Sequence, residues 1–234
     1  MFFKNFIKLF LIFVFSLIFQ NILSFGPPAK RNIKLNDTLV INKDFNCNFT
    51  RYIPNIQTMG NGGRGEFQKP VIQVSNGAKL LNCIIGARKG YKSADGVHCI
   101  NGCKLINIWH EKVGEDAITF LGSNPNNLFI IDGGGAQNAE GKVIQFDGAG
   151  IAKINNFYMK NVYEGICSCG NCEKQYKRRI EVNNLIVENL TAGQFIVAVN
   201  ANFNDYAILK NIKIKGKSKE NQRIKSIHVK YLMD

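Results

Sequence analysis

The chain has 234 residues, of which 45% are hydrophobic, a size that suits one domain, alone or with an export signal. It is basic, with 30 lysines and arginines against 17 acids and a formal net charge of +13. Such a surface attracts polyanions, which leaves nucleic acid, anionic lipid and acidic polysaccharide as candidate partners, beside the plainer reading of a solvated basic surface with no such partner.

Residues 1–24 read as an export signal. Lys4 and Lys8 form a basic start, and Leu9 to Phe19 is an apolar run that Gln20 and Asn21 interrupt, short for a membrane span. Cleavage after Ser24 is expected, with an uncleaved anchor helix as the alternative. Loss of this segment removes two lysines and no acid, so the remainder, residues 25–234, stays strongly basic. Export argues against nucleic acid, and no basic amphipathic helix with aromatics speaks for a membrane. An acidic polysaccharide remains, bound by a secreted, extracellular and monomeric protein.

Residues 25–70 are rich in turns, with Pro27-Pro28, a strand-like piece from Thr38 to Ile41 and a loop Gly60-Asn61-Gly62-Gly63. They read as an N-terminal cap on the domain that follows. From residue 71 short apolar segments recur behind asparagines: Asn82, Asn107, Asn127, Asn156, Asn184 and Asn211. The drifting period lacks a leucine signature and is too rich in β-branched residues for helical repeats. Several short strands per coil predict an all-β fold, a single-stranded parallel β-helix, with asparagine at tight left-handed corners. A β-sandwich is the rival, since Asn61-Gly62, Asn76-Gly77 and Asn101-Gly102 are hairpin signals.

Within the repeats Asp95, Glu115 and Asp116 lie among glycines and β-branched residues, and Lys142 follows the run Gly133-Gly134-Gly135. Hard cations such as calcium take several carboxylate oxygens held close together. A lysine beside such a cation has reason to lose its proton and act as a base. His98 is expected to face the coil interior, and Trp109 to pack, with sugar stacking as its alternative role. Seven cysteines in an exported chain suggest disulfides. Cys99 with Cys103 and Cys169 with Cys172 are local candidates, one cysteine is left over, and zinc binding is the rival reading. Asn36, Asn48 and Asn189 open sequons that permit glycosylation on a eukaryotic secretory route.

The strings Ala-Asp-Gly-Val-His-Cys (94–99), Val-Gly-Glu-Asp-Ala (113–117), Gly-Gly-Gly-Ala (133–136), Lys-Val-x-Gln (142–145) and Cys-Gly-Asn-Cys (169–172) together resemble the pectate lyases of polysaccharide lyase family three. The resemblance spans roughly residues 60–190 in one order. It implies a short right-handed parallel β-helix and calcium-dependent cleavage of polygalacturonate, the pectin of plant cell walls, by β-elimination. Carried over by motif, Asp95, Glu115 and Asp116 would bind Ca2+, Lys142 would act at the reacting carbon, and Lys69 would lie near the substrate. The chain departs from the family where a lysine commonly stands (Leu121 and Glu164), where aspartate precedes the reactive lysine (Gly141) and where an arginine precedes the Cys-Gly-Asn-Cys motif (Cys167). Arg178 or Arg179 is a candidate substitute for that arginine. These departures give the second reading: a catalytically impaired relative that binds pectin or a host factor.

Overall fold

The computed structural model describes residues 25–66 and 68–216. The stretch expected to be an export signal and the basic stretch beyond Gly216 lie outside the described residues. The strands in chain order are β1 (Arg31–Leu35), β2 (Leu39–Ile41), β3 (Phe45–Pro54), β4 (Pro70–Ser75), β5 (Lys79–Ile85), β6 (Asp95–Ile100) and β7 (Cys103–His110). They continue as β8 (Ile118–Leu121), β9 (Leu128–Phe146), β10 (Gly150–Ser168), β11 (Arg178–Leu190), β12 (Val197–Ala198) and β13 (Tyr206–Lys215).

The strand pairings are parallel and join strands of successive coils, so the chain forms the expected parallel β-helix. One ladder runs β1-β3-β5-β7-β9-β10-β11-β13 and the other β2-β4-β6-β8-β9-β10-β12. The long strands β9 and β10 bend round a corner and belong to both. Asn76-Gly77 and Asn101-Gly102 are not hairpins. They stack as corners, with Gly77 N–H donating to Gly102 O at 2.9 Å.

The corner residues hold the left-handed conformation, open to asparagine because its short polar side chain bonds locally. Asn82, Asn107, Asn156, Asn184 and Asn211 have φ between 51° and 59°. Asn127, expected in this series, is out of it. The pairing of Ile106 with Asp132 and of Ile108 with Gly134 sets Gly133 opposite Asn107, and Gly133 takes the corner at φ 71°. The asparagine side chains bond between coils: Asn107 Nδ2 donates to Asn82 Oδ1 at 2.8 Å, and Asn184 Nδ2 to Asn156 Oδ1 at 2.7 Å. A second column, Asn138-Asn161-Asn189, escaped the sequence reading; its bonds are 3.2 and 3.0 Å. Each bond contributes about 0.5–1.5 kcal/mol. The larger effect is on register, because a one-residue slip turns every inward side chain outward.

Between the ladders the inward positions stack like on like. Ile72, Val97, Ile118, Ile144, Ile166 and Val197 form one row. Phe120, Phe129 and Phe146 meet at the centre, with ring centroids 4.6–5.5 Å apart. Trp109 packs edge-on against Phe25 at 5.2 Å and donates to Asn107 Oδ1, so it is a packing residue. Cys47–Cys83, Cys99–Cys103 and Cys169–Cys172 are disulfides, and Cys167 is free.

His110 lies wholly inside this core, and neither ring nitrogen has a hydrogen-bond partner among the described residues. Burial lowers its pKa from 6.5 to about 3. Below pH 6.5 the unfolded chain therefore takes up a proton that the folded chain refuses, and stability falls as the pH drops toward 3. By pH 5 the loss should be about 2 kcal/mol. Other groups titrate in the same window, so the contribution is read as a difference: in urea unfolding between pH 7 and 5 the parent should lose about 2 kcal/mol relative to His110→Met.

Candidate active site

The second ladder carries a groove of about 350 Å³ on its outer face. Its floor includes His98, Thr119 and Gln145, and their register row continues through Gln73 on one side and Cys167 and Ala198 on the other. Asp95 opens β6, Glu115 and Asp116 stand just before β8, and Lys142 lies in the second half of β9. Coiling brings these four into one groove, as their shared lining position shows. Lys142 N–H donates to Asp116 Oδ1 at 2.9 Å, and Lys142 Nζ lies 3.7 Å from the same oxygen. His98 faces this groove and not the interior: its Nε2 is 2.7 Å from Asp95 Oδ2.

Glu66 and Asp147 also line the groove, making five carboxylates around Lys142. Neither was picked out in the sequence, because each lies outside the motif strings and only the coil geometry brings it in. Burial, then the charges of Asp95, Asp116 and Glu66, push the Glu115 carboxyl up to about 9. Burial also pushes Asp116 up to about 7, although the Lys142 ammonium opposes it. Burial pulls Lys142 down, but Asp116, Cys167, Glu115 and Glu164 outweigh it, so the net shift is upward. Asp95 Oδ1 is buried with no hydrogen-bond partner among the described residues. An orphaned carboxylate oxygen beside two carboxyls that resist ionisation fits a hard divalent cation, which would satisfy the oxygen and offset the repulsion. Asp95, Glu115 and Asp116 are the residues to hold it.

A softer metal has a poorer site. Asp147, Cys169 and Cys172 offer ligand atoms within 4.8 Å of one another, but the two sulfurs are joined as a disulfide. The thiolate, not the disulfide, is the ligand.

The other sequence candidates fall as follows. Lys69 is next to the acids by backbone, its carbonyl accepting from Asp95 N–H, but its Nζ pairs with Asp37 at 3.0 Å and does not line the groove. Arg178 does not replace the absent arginine. It is fully buried and binds Asp205 Oδ2 at 3.1 Å, Gly148 O at 3.0 Å and Asp147 O at 2.8 Å, bracing the groove wall from behind. Arg179 is turned to Glu181 and Tyr206. Cys167 lies between Gln145 and Ala198 in register, and burial raises its thiol to about 12. Glu164 is the register partner of Lys142.

Gly141 has a steric reason. A Cβ there would lie 2.0 Å from Glu115 O and 3.4 Å from Asp116 Oδ1. Restoring an aspartate by Gly141→Asp should therefore cost about 1–3 kcal/mol in thermal or urea unfolding. Gly141→Ala should show a similar loss, which separates crowding from charge.

A pectate lyase family model matches residues 24–229. The "Probable pectate lyase F" of Aspergillus fumigatus is 40% identical over 148 residues, 63% of this chain and 60% of that protein. "Pectate lyase E" of Emericella nidulans is 33% identical over 184 residues, 79% of this chain and 69% of that protein. The chain thus spans less than the full length of these curated relatives. Among solved structures, the catalytic domain of pectate lyase PelI from Erwinia chrysanthemi superposes with a TM-score of 0.62 at 27% identity, covering 80% of each chain. PelI in complex with tetragalacturonic acid gives 0.57 at 25% identity, covering 82% of this chain and 58% of that one. With the family model matching nearly the whole chain, the β-helix and its acidic groove place it: this chain belongs to the pectate lyase family.

Proposed function

We propose that this chain is a secreted, calcium-dependent pectate lyase that cleaves polygalacturonate by β-elimination. The observation that carries the reading is the concentration of five carboxylates around Lys142 in one groove of an otherwise basic protein. Such a groove repels a uronate chain unless a cation intervenes. That PelI was solved with tetragalacturonic acid supports the substrate class.

In β-elimination the proton beside the uronate carboxylate is removed, its electron pair forms a C=C bond in the ring, and the glycosidic C–O bond breaks. Lys142 Nζ is the base. Asp95, Glu115 and Asp116 would hold the cation, which when bound offsets the charges that keep Lys142 protonated and draws electron density from the uronate carboxylate. Asp116 orients Lys142 through its backbone N–H, and His98 fixes one oxygen of Asp95. Arg178 and the Cys169–Cys172 disulfide hold the far wall rigid.

The second reading, pectin binding without turnover, is favoured by Glu164 opposite Lys142 and by the neutral thiol of Cys167 beside Gln145. The absorbance of unsaturated product from polygalacturonate, in alkaline buffer with calcium, separates the two. Product is expected, and its complete absence alongside measurable binding would establish the second reading. Lys142→Ala and addition of a chelator should each stop turnover.

Calcium should also raise the melting midpoint. The stabilisation is about 2.7 kcal/mol at a hundredfold excess over the dissociation constant. Glu115→Gln should reduce that rise, and an unchanged rise would remove Glu115 from the cation site.

A further inference from the structure

Among the described residues lining the groove, Lys142 is the one lysine or arginine, and the acids already engage it. The loop before β4 supplies another. Arg64 sits between two glycines whose carbonyls accept from the same amide: Gln68 Nε2 donates to Gly63 O at 2.5 Å and to Gly65 O at 3.3 Å, while Gln68 Oε1 accepts from Gly62 N–H at 2.7 Å. The loop is thus pinned at the groove's edge, and Glu66, two residues on, lines the groove itself.

Arg64 is exposed, and its Cζ lies 5.1 Å from the ring centroid of Tyr163. A register shift in the β9–β10 pairing falls between Val162 and Glu164, setting Tyr163 against the two residues just before Lys142. Such irregularities re-aim a side chain beside active sites. Among the described residues no carboxylate forms an ion pair with Arg64.

We infer that Arg64, stacked over Tyr163, is a binding group for the carboxylate of one uronate residue in the bound polysaccharide, next to Lys142 and outside the acidic cluster. This rests on the groove being the pectate site proposed above. The guanidinium fork matches a carboxylate with two parallel hydrogen bonds, and stacking on an aromatic face leaves that fork free. Tyr163 is a positioning residue: it holds the guanidinium in place before the ligand arrives, which lowers the ordering cost of binding. Cys167 offers no cation on the row of Gln145, and the loop provides one.

The test uses the whole chain with calcium and polygalacturonate, and compares the parent with Arg64→Gln, Arg64→Lys and Tyr163→Leu. Arg64→Gln should raise KM by roughly tenfold, with a smaller effect on kcat. Arg64→Lys should recover only part of that loss, since a lysine offers no fork. Tyr163→Leu should raise KM by a few-fold. Binding of tetragalacturonate by calorimetry gives the same comparison if turnover is slow. On highly methyl-esterified pectin, where the carboxylates are masked, the Arg64→Gln effect should disappear. A KM and an affinity unchanged in Arg64→Gln, with the parent binding normally, would overturn the assignment and leave the groove reading intact. A parent that neither binds nor cuts would overturn both.

Discussion

The structure depends on register. In a parallel β-helix each side chain's surroundings are set by what lies directly above and below it, so the fold has to stop neighbouring coils from sliding. Here that is done at the corners, by asparagines in the left-handed conformation whose side chains bond to the asparagine of the next coil. The interior rows of isoleucine, valine and phenylalanine then follow, because identical shapes stack without voids. The functional groove is the outer image of those rows. Its floor is a line of residues in strict register, so the chemistry is positioned by the same constraint that packs the core.

Charge is distributed against its average. The chain is basic overall, yet the groove gathers carboxylates. On the outer faces lysines pair with acids of the next coil, as Lys160 does with Glu188 at 3.0 Å. Such exposed pairs contribute little to stability. The net charge therefore describes how the molecule would meet a polyanion at long range. What happens at contact is decided by a few buried acids whose repulsion a cation would relieve.

Support for the groove comes from a different kind of interaction. Arg178 and Asp205 form a fully buried ion pair, and the arginine's remaining donors go to the backbone carbonyls of Asp147, Gly148 and Cys169 and to Gln175 Oε1. A buried charge is tolerable only when it is paired and hydrogen-bonded in this way. The same geometry removes Arg178 from contact with any ligand.

The sequence alone determined the fold class and most of the acidic site. Asparagine at coil spacing is a local conformational signal, and Asp95, Glu115, Asp116 and Lys142 were legible because each stands in a recognisable string of glycines and β-branched residues. The tertiary structure decided what depends on contacts between coils. It moved the corner from Asn127 to Gly133, turned His98 outward to Asp95 and left Lys69 with Asp37. It also drew Glu66 and Asp147 into the groove and gave Gly141 its steric reason. The physical reason is common to all of these: a coil's sequence specifies which residues are strand and which are corner. The register against the next coil, which no single stretch contains, specifies what each side chain meets.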